Sequence, residues 1–201
     1  SIITMQAQAS AMANMQQAPI GYRFENALRS YWVYIKQTFW PENLTVFYPH
    51  AEVTSAQLQS AGLVLAVITL VVLMFAKNFR FLPTGWFWYL GMLVPVIGLV
   101  QVGSQAHADR YTYLPHIGFF LAVVWTIGAI AAGRMALRWI FATVMIAALA
   151  LLTILSNNQV RVWRDSSSLF SHGARINPKD YLARSVLARH DIEAGRLDEA
   201  I

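Results

Sequence analysis

The run Gln105-Ala106-His107-Ala108-Asp109-Arg110-Tyr111-Thr112-Tyr113-Leu114-Pro115 gathers an imidazole, a carboxylate, a guanidinium and two phenols in one short stretch. Those groups suit a phosphorylated sugar. Arg110 can offer its planar fork to a phosphate bidentately, and Asp109 can orient it. Tyr111 and Tyr113 bring hydroxyls and stacking faces, and His107 completes the set. The plainer reading is a solvated loop, with Asp109 and Arg110 as ordinary surface charges and the tyrosines in an aromatic belt at a membrane boundary. A metal site is not expected. His50, His107 and His116 match no helical ligand spacing and have no carboxylate cluster beside them.

Other chemistries are set aside by what the chain lacks. There is no cysteine, hence no disulfide, thiolate ligand or cysteine nucleophile. Gly-x-Ser-x-Gly, a phosphate-binding glycine loop and a paired-carboxylate motif are all missing. No cofactor is evident, although a divalent metal in the full-length protein is left open. The net charge of +5 has no single cationic face behind it, so it is flanking charge of a membrane protein and not a nucleic-acid interface.

The elements that must position these residues are apolar. Of the 201 residues 57% are hydrophobic and 12% charged, about half the charge of an ordinary soluble domain. The apolar residues fall into four blocks, at about 58–76, 86–102, 116–133 and 137–156, each close to the ~20 residues that cross a hydrocarbon core. The expected fold class is therefore all-α. An integral membrane helix bundle, the C-terminal part of a larger multi-span one, fills residues 55–156. Residues 1–22 are expected to end a preceding membrane segment or loop. Residues 23–54 form an amphipathic helix at the membrane interface and then an extracytoplasmic loop; Ala27, Tyr31, Tyr34, Ile35 and Thr38 recur at helical spacing. Trp86, Trp88 and Tyr89 are expected in an aromatic belt at the mouth of the second span.

Lys77, Arg80, Arg134 and Arg138 sit in two very short connections. The positive-inside rule assigns those to the cytoplasm, and the Asp109-Arg110 loop and C-terminal segment to the extracytoplasmic side. The localisation expected is a bacterial inner membrane or endoplasmic reticulum type of membrane.

From residue 157 the character changes, with most of the acidic residues and about half of the basic ones in the last 45 positions. Pro178, Leu187, Gly195 and Ala200 follow the spacing of a tetratricopeptide repeat's first helix and the start of its second. Ser168 to Ala174 fit the second helix of a degenerate earlier repeat. Ala188 stands where that pattern has glycine, and Asp191 where it has an aromatic. One such unit cannot bury its face alone, so the array is expected to run past Ile201.

Three runs together carry a resemblance: Gly85-Trp86-Phe87-Trp88-Tyr89-Leu90-Gly91, then Leu93 to Gly103, then Ala108-Asp109-Arg110-Tyr111-Thr112-Tyr113-Leu114-Pro115. With Asn26 to Tyr31, Phe39-Trp40-Pro41 and Phe47-Tyr48-Pro49-His50, they resemble multi-pass membrane proteins bearing C-terminal tetratricopeptide repeats. These include the transmembrane O-mannosyltransferases, C-type glycosyltransferases, and their bacterial relatives. The resemblance implies transfer of a sugar from a polyprenyl-phosphate-type lipid donor to protein hydroxyls on the extracytoplasmic side. It makes membrane lipid, the lipid-linked sugar and an acceptor protein the expected partners. The family's acidic catalytic motif belongs to an N-terminal half expected to lie upstream of this sequence, so no catalytic base is assigned. Asp109, Arg110 and Tyr111 match the shared run and are the expected donor-phosphate residues. The alternative is a non-catalytic, membrane-anchored tetratricopeptide scaffold for protein–protein interaction in the envelope.

Overall fold

The computed structural model describes residues 19–50, 54–99, 105–193 and 195. Among them the chain is all-helical and without strands. Seven α-helices follow in order: α1 Ile20–Phe39, α2 Ser55–Phe75, α3 Phe81–Leu93, α4 Tyr113–Ile130, α5 Met135–Val162, α6 Ser166–Ile176 and α7 Tyr181–Glu193. A 3-10 turn, Asp109–Thr112, leads into α4. The chain divides into two compact units, residues 1–40 with 50–139, and residues 41–49 with 140–201.

Among the described residues three helical stretches are long and apolar enough to cross a membrane: Ser55–Phe75, Asp109–Ile130 and Met135–Val162. The expected second span, 86–102, differs. Its helix begins earlier and stops at Leu93. At 13 residues it is ~20 Å long, short of the ~30 Å of a hydrocarbon core. Pro95 has no N–H with which to continue the ladder. The chain goes on in turns to Gly98, whose φ of +88° only glycine adopts freely. Residues 100–102 of that expected span lie outside the described residues.

In the first unit the core is Ala27, Tyr34 and Ile35 of α1, Leu65 and Val72 of α2, and Trp86, Tyr89 and Leu93 of α3, with Ile97 beyond it. Trp86 and Tyr89, expected in an interfacial belt, are instead buried, while Trp88 is half exposed. The Trp86 indole N–H donates to Thr69 Oγ1 at 3.0 Å, which satisfies its polar edge inside the bundle. Trp88 Nε1 donates to the Leu114 carbonyl at 3.0 Å and joins α3 to the first turn of α4.

The α3–α4 contact depends on two glycines. A Cβ at Gly85 would collide with the Gly118 carbonyl and come within 2.8 Å of Ala122 Cβ; a Cβ at Gly118 would meet Trp88 Cδ1 at 2.5 Å. Small residues permit this approach where lipid supplies no hydrophobic force between helices. Pro83 and Pro115 sit in the first turns of α3 and α4, where a missing N–H breaks no helix bond. Phe79, Phe81 and Leu82 line one cavity with Ala132 and Arg134, so the two basic connections share an end of this unit.

The second unit holds most of α5 and the segment 41–49, with Gln159 donating to the Leu44 carbonyl and Phe47 packed edge-on against Tyr181. α6 and α7 form an antiparallel-type hairpin around the turn 177–180. Buried Asp180 caps α7 through the Ala183 N–H, 3.0 Å, and Gly173 lies against Ala183. Gly195 follows α7 with φ +76°, as a helix terminator does. A helix pair flanking Pro178 is thus present, with Leu187 on its second helix; Ala200, expected at the start of the next helix of the repeat, lies outside the described residues.

Gly118→Val should destabilise the full-length protein in detergent by about 1–3 kcal/mol, the cost of overpacking. Gly128→Val, where nothing lies within 4 Å of a Cβ, should unfold at the parent temperature.

Candidate functional site

The loop that carries the candidate residues is held by α1. Asn26, Ser30 and Tyr34 occur at intervals of four, which places them on one face of a helix. All three are buried polar residues, and such groups are costly to bury without partners. Each has them. Asn26 Nδ2 donates to the Ala106 carbonyl at 2.9 Å and to the Ile97 carbonyl at 3.3 Å. Ser30 Oγ donates back to the Asn26 carbonyl at 2.7 Å. The Tyr34 hydroxyl does double duty, donating to the Ala108 carbonyl and accepting from the Ala108 N–H, both at 3.0 Å. A single phenol therefore replaces the strand partner that this stretch of backbone lacks.

The same helix reaches further. Tyr31 donates to the Leu90 carbonyl at 2.7 Å, and Tyr89 returns a bond to the Tyr31 carbonyl at 3.2 Å. Thr38 Oγ1 lies 2.8 Å from His116 Nε2, tying the last turn of α1 to α4. Expected as an interfacial helix, α1 is a pillar whose polar stripe anchors α3, the loop and α4. Its exposed residues, among them Ile20, Phe24, Lys36 and Phe39, lie towards its two ends.

This anchoring divides the predicted site residues. His107 turns inward, 4% exposed, with its ring edge-on to Tyr34 at 5.7 Å. Arg110 turns out and lies over the Tyr111 ring, 5.2 Å from its centroid. Tyr111 packs against the core, and its hydroxyl accepts from Gln105 Nε2 at 3.2 Å. Asp109 is half-buried at the start of the 3-10 turn, and its carbonyl accepts from Thr112. Tyr113 is 78% exposed, away from this group. So His107, Asp109, Arg110 and Tyr111 remain neighbours in the chain, but the imidazole faces one way and the guanidinium another.

Two residues not among those candidates join His107. Arg29 of α1 is half-buried, and its charge acts on both His107 and His50. His50 packs its ring on Tyr22 at 5.8 Å. Burial, then the Arg29 charge, then His50, push the His107 imidazole down to about 3. Burial first and Arg29 second lower His50 as well. Both rings are therefore neutral at pH 7 beside a permanent cation. The sequence carries a trace of this: Tyr22, Asn26 and Arg29 fall at i, i+4 and i+7, but their link to His50 and His107 is tertiary. Among the described residues no group of three or more histidine, cysteine or acidic residues is placed to hold a metal ion.

No protein-family model, curated protein or solved structure matches this chain.

Tyr34→Phe leaves the Ala108 N–H and carbonyl buried without their partner and should cost about 1–3 kcal/mol in unfolding measurements. A second expectation concerns acid. His107 is held below its ordinary 6.5 in the fold, so its contribution is complete above pH 6.5 and is lost as pH falls towards 3. The full-length protein should melt lower at pH 5 than at pH 7.5, and His107→Gln should narrow that gap.

Proposed function

We propose that this chain is part of a membrane glycosyltransferase that uses a polyprenyl-phosphate-linked sugar and modifies protein hydroxyls on the extracytoplasmic side. The observation that carries this reading is the loop 105–112. It is an ionisable, aromatic segment fastened by buried hydrogen bonds to an otherwise apolar bundle. Buried polar groups beside membrane-crossing helices are expensive and are kept where they serve a function.

The likeness of Gly85–Pro115 to the repeat-bearing O-mannosyltransferases supplies the reaction class. In this reading Arg110, exposed and braced on Tyr111, meets the donor phosphate, with Asp109 beside it. The basic connections at one end of the first unit face the cytoplasm by the positive-inside rule, so the loop faces outward. The α6–α7 hairpin begins a tetratricopeptide array that presents the acceptor protein.

A non-catalytic scaffold is the second reading, favoured by exposed Tyr181 and Ile192 on α7, which are open to a partner. One experiment separates them. Purified full-length protein given a polyprenyl-phosphate sugar and an acceptor peptide should transfer the sugar, and Arg110→Ala should abolish transfer without lowering expression. Normal turnover in that variant sinks the role of Arg110, and no transfer by the parent protein leaves the scaffold.

A further inference from the structure

A groove lies in the first unit where α2, α3 and α4 meet. It has a volume of about 390 Å³ and is walled by Val67 and Val71 of α2, Leu82 and Trp86 of α3, and Phe119 and Val123 of α4. Thr126 adds a hydroxyl to the lining and Trp86 an indole N–H. Both are already used within the bundle: Thr126 Oγ1 donates to the Ala122 carbonyl at 2.6 Å, and Trp86 Nε1 donates to Thr69 Oγ1 at 3.0 Å. The walls thus keep no free donor for a polar guest, and α2 and α4 are long and apolar enough to cross a membrane. An occupant matched to these walls is hydrocarbon, because a polar group placed there would go without partners.

A second cavity, of about 330 Å³, adjoins the first, since Leu82 and Thr126 line both. Its character is different. Exposed Arg134 lines it, together with Phe79, Phe81 and Ala132. Among the described residues no carboxylate forms an ion pair with this arginine. The sequence has no acidic residue from 53 to 108 or from 110 to 164, so the connections that carry Lys77, Arg80, Arg134 and Arg138 hold positive charge alone. The last carbonyls of α4 offer that charge little opposition. Ile127 accepts from the Ala131 N–H, Ala129 from the Ala132 N–H, and Ala131 from the Arg134 N–H and Arg138 Nε. α3 and α5 both start at this end, and the positive ends of their dipoles add to the field that favours an anion.

We propose that the two adjoining cavities form a site for one anionic phospholipid, with an acyl chain in the α2–α3–α4 groove and the headgroup phosphate on Arg134. Phosphate suits the position. It is anionic at neutral pH and accepts hydrogen bonds from a guanidinium fork. In a phospholipid it stands where the tail meets water, as Arg134 stands where the groove meets the connection. Charge selects the lipid. A zwitterionic headgroup brings a cation of its own to an end of the unit that is already cationic, so phosphatidylglycerol is favoured over phosphatidylcholine. The site is separate from the loop 105–112 and does not depend on sugar transfer.

The test is lipid binding to the full-length protein in detergent, read by native mass spectrometry. The probes are dioleoyl phosphatidylglycerol and dioleoyl phosphatidylcholine, which share their chains. Phosphatidylglycerol should bind at least tenfold more tightly. Arg134→Gln should weaken it about fivefold, the worth of one basic residue beside an anionic lipid, and leave phosphatidylcholine unchanged. Val71→Phe, which fills the groove, should weaken both lipids; Leu70→Phe, at an exposed neighbour outside the lining, should weaken neither. In the parent protein, phosphatidylglycerol with a diazirine at the end of its acyl chain should label α2 and α4 at the groove on irradiation. Equal affinity for the two lipids overturns the site, as does an Arg134→Gln or Val71→Phe protein that binds phosphatidylglycerol within twofold of the parent. Labelling confined to other helix faces also overturns it, and is the result expected if another helix or a second copy of the chain fills the groove. Should a variant not fold, the parent's lipid preference and labelling pattern decide.

Discussion

The hydroxyl of Tyr34 is bonded to both the N–H and the carbonyl of Ala108, and the first unit is organised around that pair of bonds. Backbone in an apolar setting must have its polar groups satisfied, and helices do so internally. The stretch 105–108 is not helical. It can sit against the bundle because a side chain of α1 serves as its hydrogen-bond partner, with Asn26 doing the same at Ala106 and Ile97. Ile97 and Ala106 flank the residues between α3 and the loop, so one asparagine side chain joins both ends. Gly98, whose missing Cβ leaves room 3.3 Å from Asn26 Nδ2, keeps that approach open.

From this constraint the chemistry follows. Because Tyr34 and Asn26 draw the loop inward, His107 is buried, and burial holds its imidazole neutral. Because the same segment turns into α4 through the Asp109–Thr112 turn, Arg110 is carried outward onto Tyr111. Arg29, on the face of α1 shared with Tyr22 and Asn26, then stands beside two neutral rings.

Much of this was legible in the sequence, and for physical reasons. Long charge-free runs announce membrane-crossing helices, and the blocks near 58–76, 116–133 and 137–156 correspond to helical stretches of sufficient length. The α1 stripe of Ala27, Tyr34 and Ile35 was visible as helical periodicity and is buried. Hydropathy did not reveal that the block at 86–102 contains a helix ending at Leu93. An apolar count weighs Pro95 and Gly98 lightly, yet they break the ladder. Nor did it separate belt tryptophans from core ones, since Trp86 and Trp88 differ only in which face of α3 they occupy. The loop residues were recognisable by type, whereas Arg29 and His50 were not. Their membership depends on contacts between segments more than 50 positions from the loop, and local patterns do not carry that information.

The account's central claim is that residues 105–108 are fastened into the bundle and are not a solvated loop. Residue-resolved amide hydrogen exchange on the full-length protein tests this most directly. Ala108 should exchange slowly, like the helical amides beside it, and Tyr34→Phe should release it while leaving α4 protected. Exchange of Ala108 in the parent protein at the rate of an open, water-exposed loop would contradict the account.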